Sequence, residues 1–283
     1  MLASITKSIN CRGELISFDE PKLMGILNPT SDSFYDGGQH NNLKKQLQQV
    51  ETMLTEGADI IDIGATSTRP GAKLSKPMEE LNTLLPVIEA ILKEFPNCIV
   101  SIDTYHAKVA DDCIKNGVHI INDVSGGLID EAMIPTVAEY KNIPYVMMHL
   151  KGIPENMQQQ CNYENLMVEI IDYFLQRINL AKKAGIKNLI IDAGFGFGKN
   201  TNQNFELLQR LNELRLLGNF PVLSGLSRKS LIWKTLNIKP AEALNGTTVL
   251  NTIALLNGSN ILRVHDVAAA KQAITLLKHL KAA

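Results

Sequence analysis

The stretch "NLIIDAGFGFGK", residues 188–199, decides how the rest of the chain is read. A short apolar run meets Asp192, then glycines alternate with apolar residues up to Lys199. Glycine-rich loops after strands commonly cradle phosphate. A Walker A loop, however, needs glycine five positions before its Gly-Lys pair and a hydroxyl residue after it. Ala193 and Asn200 occupy those two positions. What remains is an apolar run of strand length that ends in a carboxylate. Its glycines let the backbone turn sharply and lie close to a flat ligand.

The same design recurs along the chain. The runs are "KLMGILNPT" (22–30), "ADIIDIGA" (58–65), "NCIVSIDT" (97–104), "VHIINDVSGG" (118–127), "PYVMMHL" (144–150), "FPVLSGLS" (220–227) and "SNILRVHD" (259–266). Most lack strict in/out alternation, as strands buried on both faces do, which points to a parallel sheet covered by helices. Between the runs lie segments of helical spacing: 43–58, with Leu43, Leu47, Val50 and Leu54 on one stripe, then 81–95 and 165–185. Gly57, Gly117, Gly185 and Gly258 fall where a left-handed C-terminal cap closes a helix before the next strand.

Eight strand–helix units predict a single (β/α)8 barrel over residues 1–283, an α/β fold of the TIM type. A doubly wound sheet is the structural rival, but no GxGxxG opens the first helix. "SINCRGELISFDEP" (8–21) reads as a short hairpin at the barrel bottom.

The chain has 283 residues, 45% of them hydrophobic, which suffices for a large core, and a net charge of −1 without long blocks of one sign. That is not the footprint of a nucleic-acid binder. Cys11, Cys98, Cys113 and Cys161 are scattered and form no CxxC pair, so reduced thiols are expected. The first 18 residues lack the pattern of a secretory signal, and no apolar run is long enough to span a bilayer. A cytoplasmic protein without membrane or nucleic-acid partners is expected.

In a barrel the chemistry sits at the C-terminal ends of the strands. Polar residues gather there: Asn28, Asp62, Asp103, Asn122 with Asp123, His149, Asp192, the "SRKS" of 227–230, and Arg263 with His265. A lone aspartate at a strand end is commonly a helix cap. Several around one funnel would bury carboxylates that need a ligand. Asp103, Asn122 and Asp192 suit a nitrogen heterocycle, whereas Arg69, Arg228, Lys229, Arg263 and His265 suit a phosphate or carboxylate. His149 is read as structural, and Trp233 and the methionines as packing.

At these residues the sequence resembles the dihydropteroate synthase family, the folate-pathway enzymes targeted by sulfonamides. The resemblance rests on "MGILNPTSDSFYDGG" (24–38), "DIGATSTRPGA" (62–72), "SIDTYHAKVA" (101–110), "INDVSGG" (121–127), "MMHLKGIPENMQ" (147–158), "DAGFGFGK" (192–199), "GLSRKS" (225–230) and "RVHDV" (263–267). It implies condensation of a dihydropterin hydroxymethyl pyrophosphate with p-aminobenzoate. It implies pterin contacts at Asp103, Asn122, Asp192 and Lys229, with Asp62 also among the substrate contacts and Met148 and Phe197 as apolar walls. Asn28, Thr68, Arg69, Arg263 and His265 fall on the pyrophosphate side, with Asn28 toward Mg²⁺. Gly225 and Ser227 lie by the p-aminobenzoate path, with Arg228 flanking Lys229. Asp103, Lys229, Arg263 and His265 are the implied catalytic set, and a homodimer is implied, with the helix in 241–258 available for it. The loops at 28–38 and 66–77 are expected to be mobile and to close over the substrates.

The chain departs from the family pattern at Pro29, Ser31, Thr66 and Ala193. Thr66 replaces a usual glutamate and removes a loop charge. Two other readings share the heterocycle contacts: a pterin-dependent methyltransferase barrel, and a pterin-binding paralogue without catalysis.

Overall fold

The computed structural model describes residues 8–29, 39–65 and 74–282. Two antiparallel strands, β1 (Ser8–Cys11) and β2 (Glu14–Ser17), precede eight parallel ones. These are β3 (Lys22–Leu27), β4 (Ile60–Ile63), β5 (Ile99–Asp103), β6 (Ile120–Asp123), β7 (Tyr145–Met148), β8 (Leu189–Asp192), β9 (Val222–Ser224) and β10 (Ile261–Val264). They close in the order β10-β3-β4-β5-β6-β7-β8-β9, because β9 pairs with both β8 and β10. Closure excludes the doubly wound rival, which would leave two sheet edges.

Each barrel strand leads to a helix: α1 (Gln39–Thr55), α2 (Pro77–Glu94), α3 (Ala107–Lys115), α4 (Met133–Ala138), α5 (Leu166–Ala184), α6 (Thr201–Gln209) and α7 (Ser230–Leu236) with α8 (Leu244–Leu256), then α9 (Val267–Ala282). Local chemistry sets their ends. Asn165 caps α5 by accepting from Val168 N at 3.2 Å, and Gly185 ends it at φ 103°. Asn200 and Gln203 cap α6 reciprocally, at 2.9 and 2.8 Å. Gly57, Gly117 and Gly258 adopt φ of 99°, 98° and 101°, as the predicted left-handed caps require.

The strands bury both faces. Outward residues such as Ile61, Ile102, Ile121 and Leu262 pack on the helices in one continuous core. Each large apolar side chain so buried contributes about 1.5–3 kcal/mol. The inward residues nearest the strand starts, Met24, Ile60, Ile120, Val146, Ile190, Leu223 and Ile261, meet Ile9, Cys11, Ile16 and Phe18 of the hairpin. The hairpin thus plugs the bottom of the barrel. Arg12 pins it there by donating to the Ile114 and Val118 carbonyls at 3.1 and 2.9 Å. With the bottom sealed by apolar side chains, the opposite end is left for polar ones.

Candidate active site

Strand alternation delivers the polar set. Successive side chains point to opposite faces, so a residue two positions after an inward one is also inward. Ile60 therefore leads to Asp62, Ile120 to Asn122, Val146 to Met148, Ile190 to Asp192, Leu223 to Gly225 and Ile261 to Arg263. On β5, Ile99 leads through Ser101 to Asp103. The lower residue of each series packs in the bottom cluster or against it. The upper one sits at the mouth. Asp123, next to Asn122, points outward instead. Its carboxylate accepts from Ser125 N and Oγ, Gly127 N and Tyr145 Oη at 2.6–2.8 Å and so holds the following turn.

Arg263 ties the mouth together across the barrel. Its Nε donates to Asp62 Oδ2 at 2.6 Å and its Nη2 to Asp103 Oδ2 at 2.7 Å. Asn122 Nδ2 donates to the same Asp62 oxygen at 3.1 Å. Asp62 Oδ1, Asp103 Oδ1, Asn122 Oδ1 and Ser101 Oγ are buried and have no hydrogen-bond partner. Leaving a buried polar atom unmade costs about 1–3 kcal/mol. Three acceptor oxygens in this state, on adjacent strands, describe a surface that receives N–H donors.

A second group completes the pocket. Asp192 Oδ1 accepts from Gly194 N at 2.8 Å. Lys229 Nζ donates to the Phe195 carbonyl and stands 4.6 Å from the centre of the Phe197 ring. A methyl group placed on Gly225 would lie 3.9 Å from both Lys229 Nζ and Arg263 Cβ, so this glycine sits between the two cationic side chains. Met148 and Phe197 share an apolar cluster with Tyr105, Val124, Leu150 and Met157, which walls the pocket.

At the mouth Asp62, Asp103 and Asp192 face Arg263 and Lys229, with Lys199 acting on Asp192 from behind. Burial pushes the Asp103 carboxyl up to about 7; Arg263 pulls it back, while Asp62, Glu80 and Asp192 add to the rise. Burial raises Asp192 as well, against Lys229 and the Gly194 N–H. Burial lowers Lys229 to about 8, against Asp192. Burial also disfavours the Arg263 charge, but Asp62 and Asp103 outweigh it and keep the guanidinium protonated. Buried groups of both signs perturbed in this way make the cluster a candidate reaction centre.

Beside this cluster, Ser227 Oγ lies 3.0 Å from His265 Nδ1 and accepts from His265 N at 3.2 Å. Asn28, at the end of β3, is exposed. Arg228 is placed differently from the other cations. Its guanidinium pairs with both oxygens of Asp266 at 2.9 and 2.8 Å, and it donates to the Ala241 carbonyl. With its backbone at φ 54°, Arg228 holds the turn that carries Ser227 and Lys229. Thr68 and Arg69 lie outside the described residues, as do Ser31, Thr66 and most of the two loops expected to close.

One pair escapes a reading of the sequence. His149, read as structural without a partner, lies 2.8 Å from Lys199 Nζ. The two are 50 positions apart, and only the glycine loop that carries Lys199 gave a hint.

The sequence matches the family described as pterin binding enzyme over residues 24–265. It is 40% identical over 269 residues to the dihydropteroate synthase of Escherichia coli strain K12, covering 94% of each chain. To that of Haemophilus influenzae it is 44% identical over 251 residues, 88% of this chain and 90% of the other. Among solved structures, Yersinia pestis dihydropteroate synthase in a sulfonamide drug complex superposes with a TM-score of 0.90 at 39% identity, covering 98% of this chain and all (100%) of that one. The Xanthomonas albilineans enzyme in complex with 7,8-dihydropteroate gives 0.85 at 31% identity, covering 98% and 100%. The chain belongs to the dihydropteroate synthases, within the pterin-binding enzymes.

Proposed function

We infer that this chain condenses a 6-hydroxymethyl-7,8-dihydropterin pyrophosphate with p-aminobenzoate, giving 7,8-dihydropteroate and pyrophosphate. The observation that supports it best is the row of unpaired buried oxygens on Asp62, Asp103 and Asn122 beside Asp192 and Lys229. A pterin ring presents amino and ring N–H donors along one edge and acceptors along another. The carboxylates and the Asn122 carbonyl take the donors, Lys229 gives to an acceptor, and Met148 and Phe197 cover the ring faces.

The diphosphate goes to the cationic side. Arg263 commits Nε and Nη2 to the two aspartates, which leaves Nη1 for an anion. His265 joins it, oriented by Ser227, with Thr68 and Arg69 assigned to the same side. Asn28 offers an exposed amide oxygen at the mouth. Among the described residues no three His, Cys, Asp or Glu gather for a metal. A single neutral oxygen such as that of Asn28 suits a Mg²⁺ held mainly by the substrate's phosphates, since this ion keeps most of its waters and takes few protein ligands. When bound there it would neutralise charge on the leaving group.

In the reaction the C–O bond to the diphosphate breaks with its electron pair leaving on pyrophosphate. The pterin CH₂ becomes electron-poor, and the carboxyl oxygens of Asp103 and its neighbours Asp62 and Asp192 stabilise it. The aromatic amine then donates its lone pair to form the C–N bond and loses a proton to solvent. Gly225 and Ser227 border the path of p-aminobenzoate, with Arg228 fixing their turn from behind.

Two wider readings accompany the chemistry. Leu244, Val249, Ile253 and Leu256 of α8 expose apolar side chains, which supports a homodimer through this helix. All four cysteines are free, which suits the reducing cytoplasm. No described helix is long and apolar enough to cross a membrane.

The test is incubation with the pterin pyrophosphate, Mg²⁺ and radiolabelled p-aminobenzoate. Labelled dihydropteroate with matching pyrophosphate release is expected. Tight pterin binding without labelled product would make the chain a non-catalytic paralogue.

A further inference from the structure

Behind the pocket, Lys199 is 2% exposed, and its ammonium meets two backbone carbonyls and a histidine ring. Its Nζ lies 2.8 Å from the Gly194 carbonyl, 3.1 Å from that of Phe197 and 2.8 Å from His149 Nδ1. Three acceptors match the three N–H bonds of an ammonium. Burial, reinforced by the Lys199 charge, pushes His149 well below its ordinary range, so its neutral ring can accept. The ring itself is fixed: Tyr173 packs edge-on at 4.8 Å, and His149 N donates to the Asp192 carbonyl at 3.0 Å.

The glycines make this grip possible. Gly194, Gly196 and Gly198 take φ of 69°, 84° and 61°. A Cβ on Gly194 would fall 2.0 Å from the His149 carbonyl oxygen, and one on Gly198 2.6 Å from that of Lys151. The loop is a phosphate loop turned inside out: carbonyls close on a lysine ammonium where N–H groups would close on an anion. Its other side faces the pocket. There the Phe195 carbonyl receives Lys229, the Phe197 ring stands under the same ammonium, and Gly194 N donates to Asp192.

We propose that Lys199, seated against His149, is a positioning residue: its ammonium shapes the 193–198 loop so that Asp192 and Lys229 are held ready for the pterin ring. The proposal rests on the pterin reading above. The titratable groups around Lys199 are His149 at the end of β7, Cys161 from the β7–α5 connection, Asp192 of β8 and Lys229 beyond β9, with Lys151 acting on His149 and Cys161. Burial lowers Lys199 to about 7. A lysine depressed in the folded state costs stability, in full below about pH 7 and less as the pH rises toward the usual lysine value. Removing it relieves that cost but leaves buried acceptors of the loop without their donor, so the division between the two substrates, not Tm, separates positioning from plain support.

The test is Lys199→Met. In the ligand-free protein, hydrogen exchange at the 194–198 amides should quicken at least tenfold. By calorimetry, a free pterin should bind at least tenfold more weakly. KM for p-aminobenzoate at saturating pterin pyrophosphate should be unchanged. Wild-type exchange and pterin affinity would overturn the proposal, as would equal losses for both substrates. Should Lys199→Met not fold, His149→Phe removes the acceptor and keeps a ring; it should shift loop exchange and pterin affinity the same way, and wild-type values in it would also overturn the proposal. A wild-type protein that binds no pterin overturns the pterin reading, while the exchange measurement, made without ligand, still decides whether Lys199 holds the loop.

Discussion

Arg263 Nε donates to Asp62 Oδ2 at 2.6 Å although β3 separates their strands, so the guanidinium reaches across the barrel interior. The same side chain also holds Asp103. Arg263→Met would leave both carboxylates buried without their cation. Breaking a buried ion pair from one side costs about 3–5 kcal/mol. Urea unfolding should show a loss of that size. A loss below about 1 kcal/mol would mean that the cluster is more hydrated than its burial indicates.

Asp103 makes stability depend on pH in a defined direction. Its carboxyl is raised by burial from 3.8 to about 7 in the folded protein. The folded state therefore holds a proton that the unfolded state has lost between these values, and the contribution of Asp103 to stability falls as pH rises through that window. Measured against Asp103→Asn, the wild type should lose unfolding free energy from pH 4 to pH 7. Parallel profiles for the two proteins would remove Asp103 as the cause.

Asp192→Asn exchanges a carboxyl acceptor for an amide at the proposed pterin edge. Pterin affinity should weaken by about 1–3 kcal/mol, the worth of a hydrogen bond to a charged group. Titration calorimetry with a free pterin measures it directly. Equal affinity in the two proteins takes Asp192 out of the site.

His265, bonded to Ser227 Oγ, is assigned to the diphosphate. His265→Ala should raise KM for the pterin pyrophosphate and slow its departure, while a free pterin lacking phosphate binds as before. A change confined to p-aminobenzoate would reverse this division of the pocket.

Much of this architecture is legible in the sequence because two rules act locally. Buried parallel strands need continuous apolar runs, and helices ending at a left-handed glycine announce themselves, as at Gly57, Gly117, Gly185 and Gly258. The polar residue at the end of each run then falls at the mouth without further information. Facing is harder. Asn122 and Asp123 are neighbours of similar chemistry, yet one enters the pocket and the other clasps Ser125, Gly127 and Tyr145. Alternation separates them only once the strand's phase is fixed by the bottom layer.

What the sequence could not show was pairing at a distance. The Arg263 link to Asp62 spans 201 positions and exists only because the barrel closes. The Lys199–His149 contact depends on a loop folding back on its own lysine. Arg228 is instructive in the other direction. By composition it belongs with the phosphate-binding cations, but Asp266, two residues after a strand end, takes its guanidinium.

The most direct test is a crystal structure of this chain soaked with a free pterin. The account places the ring between Met148 and Phe197, its N–H edge within hydrogen-bond distance of Asp103 Oδ1, Asn122 Oδ1 and Asp192, and Lys229 on a ring acceptor. A pterin bound elsewhere, with those oxygens still unpaired, would contradict it.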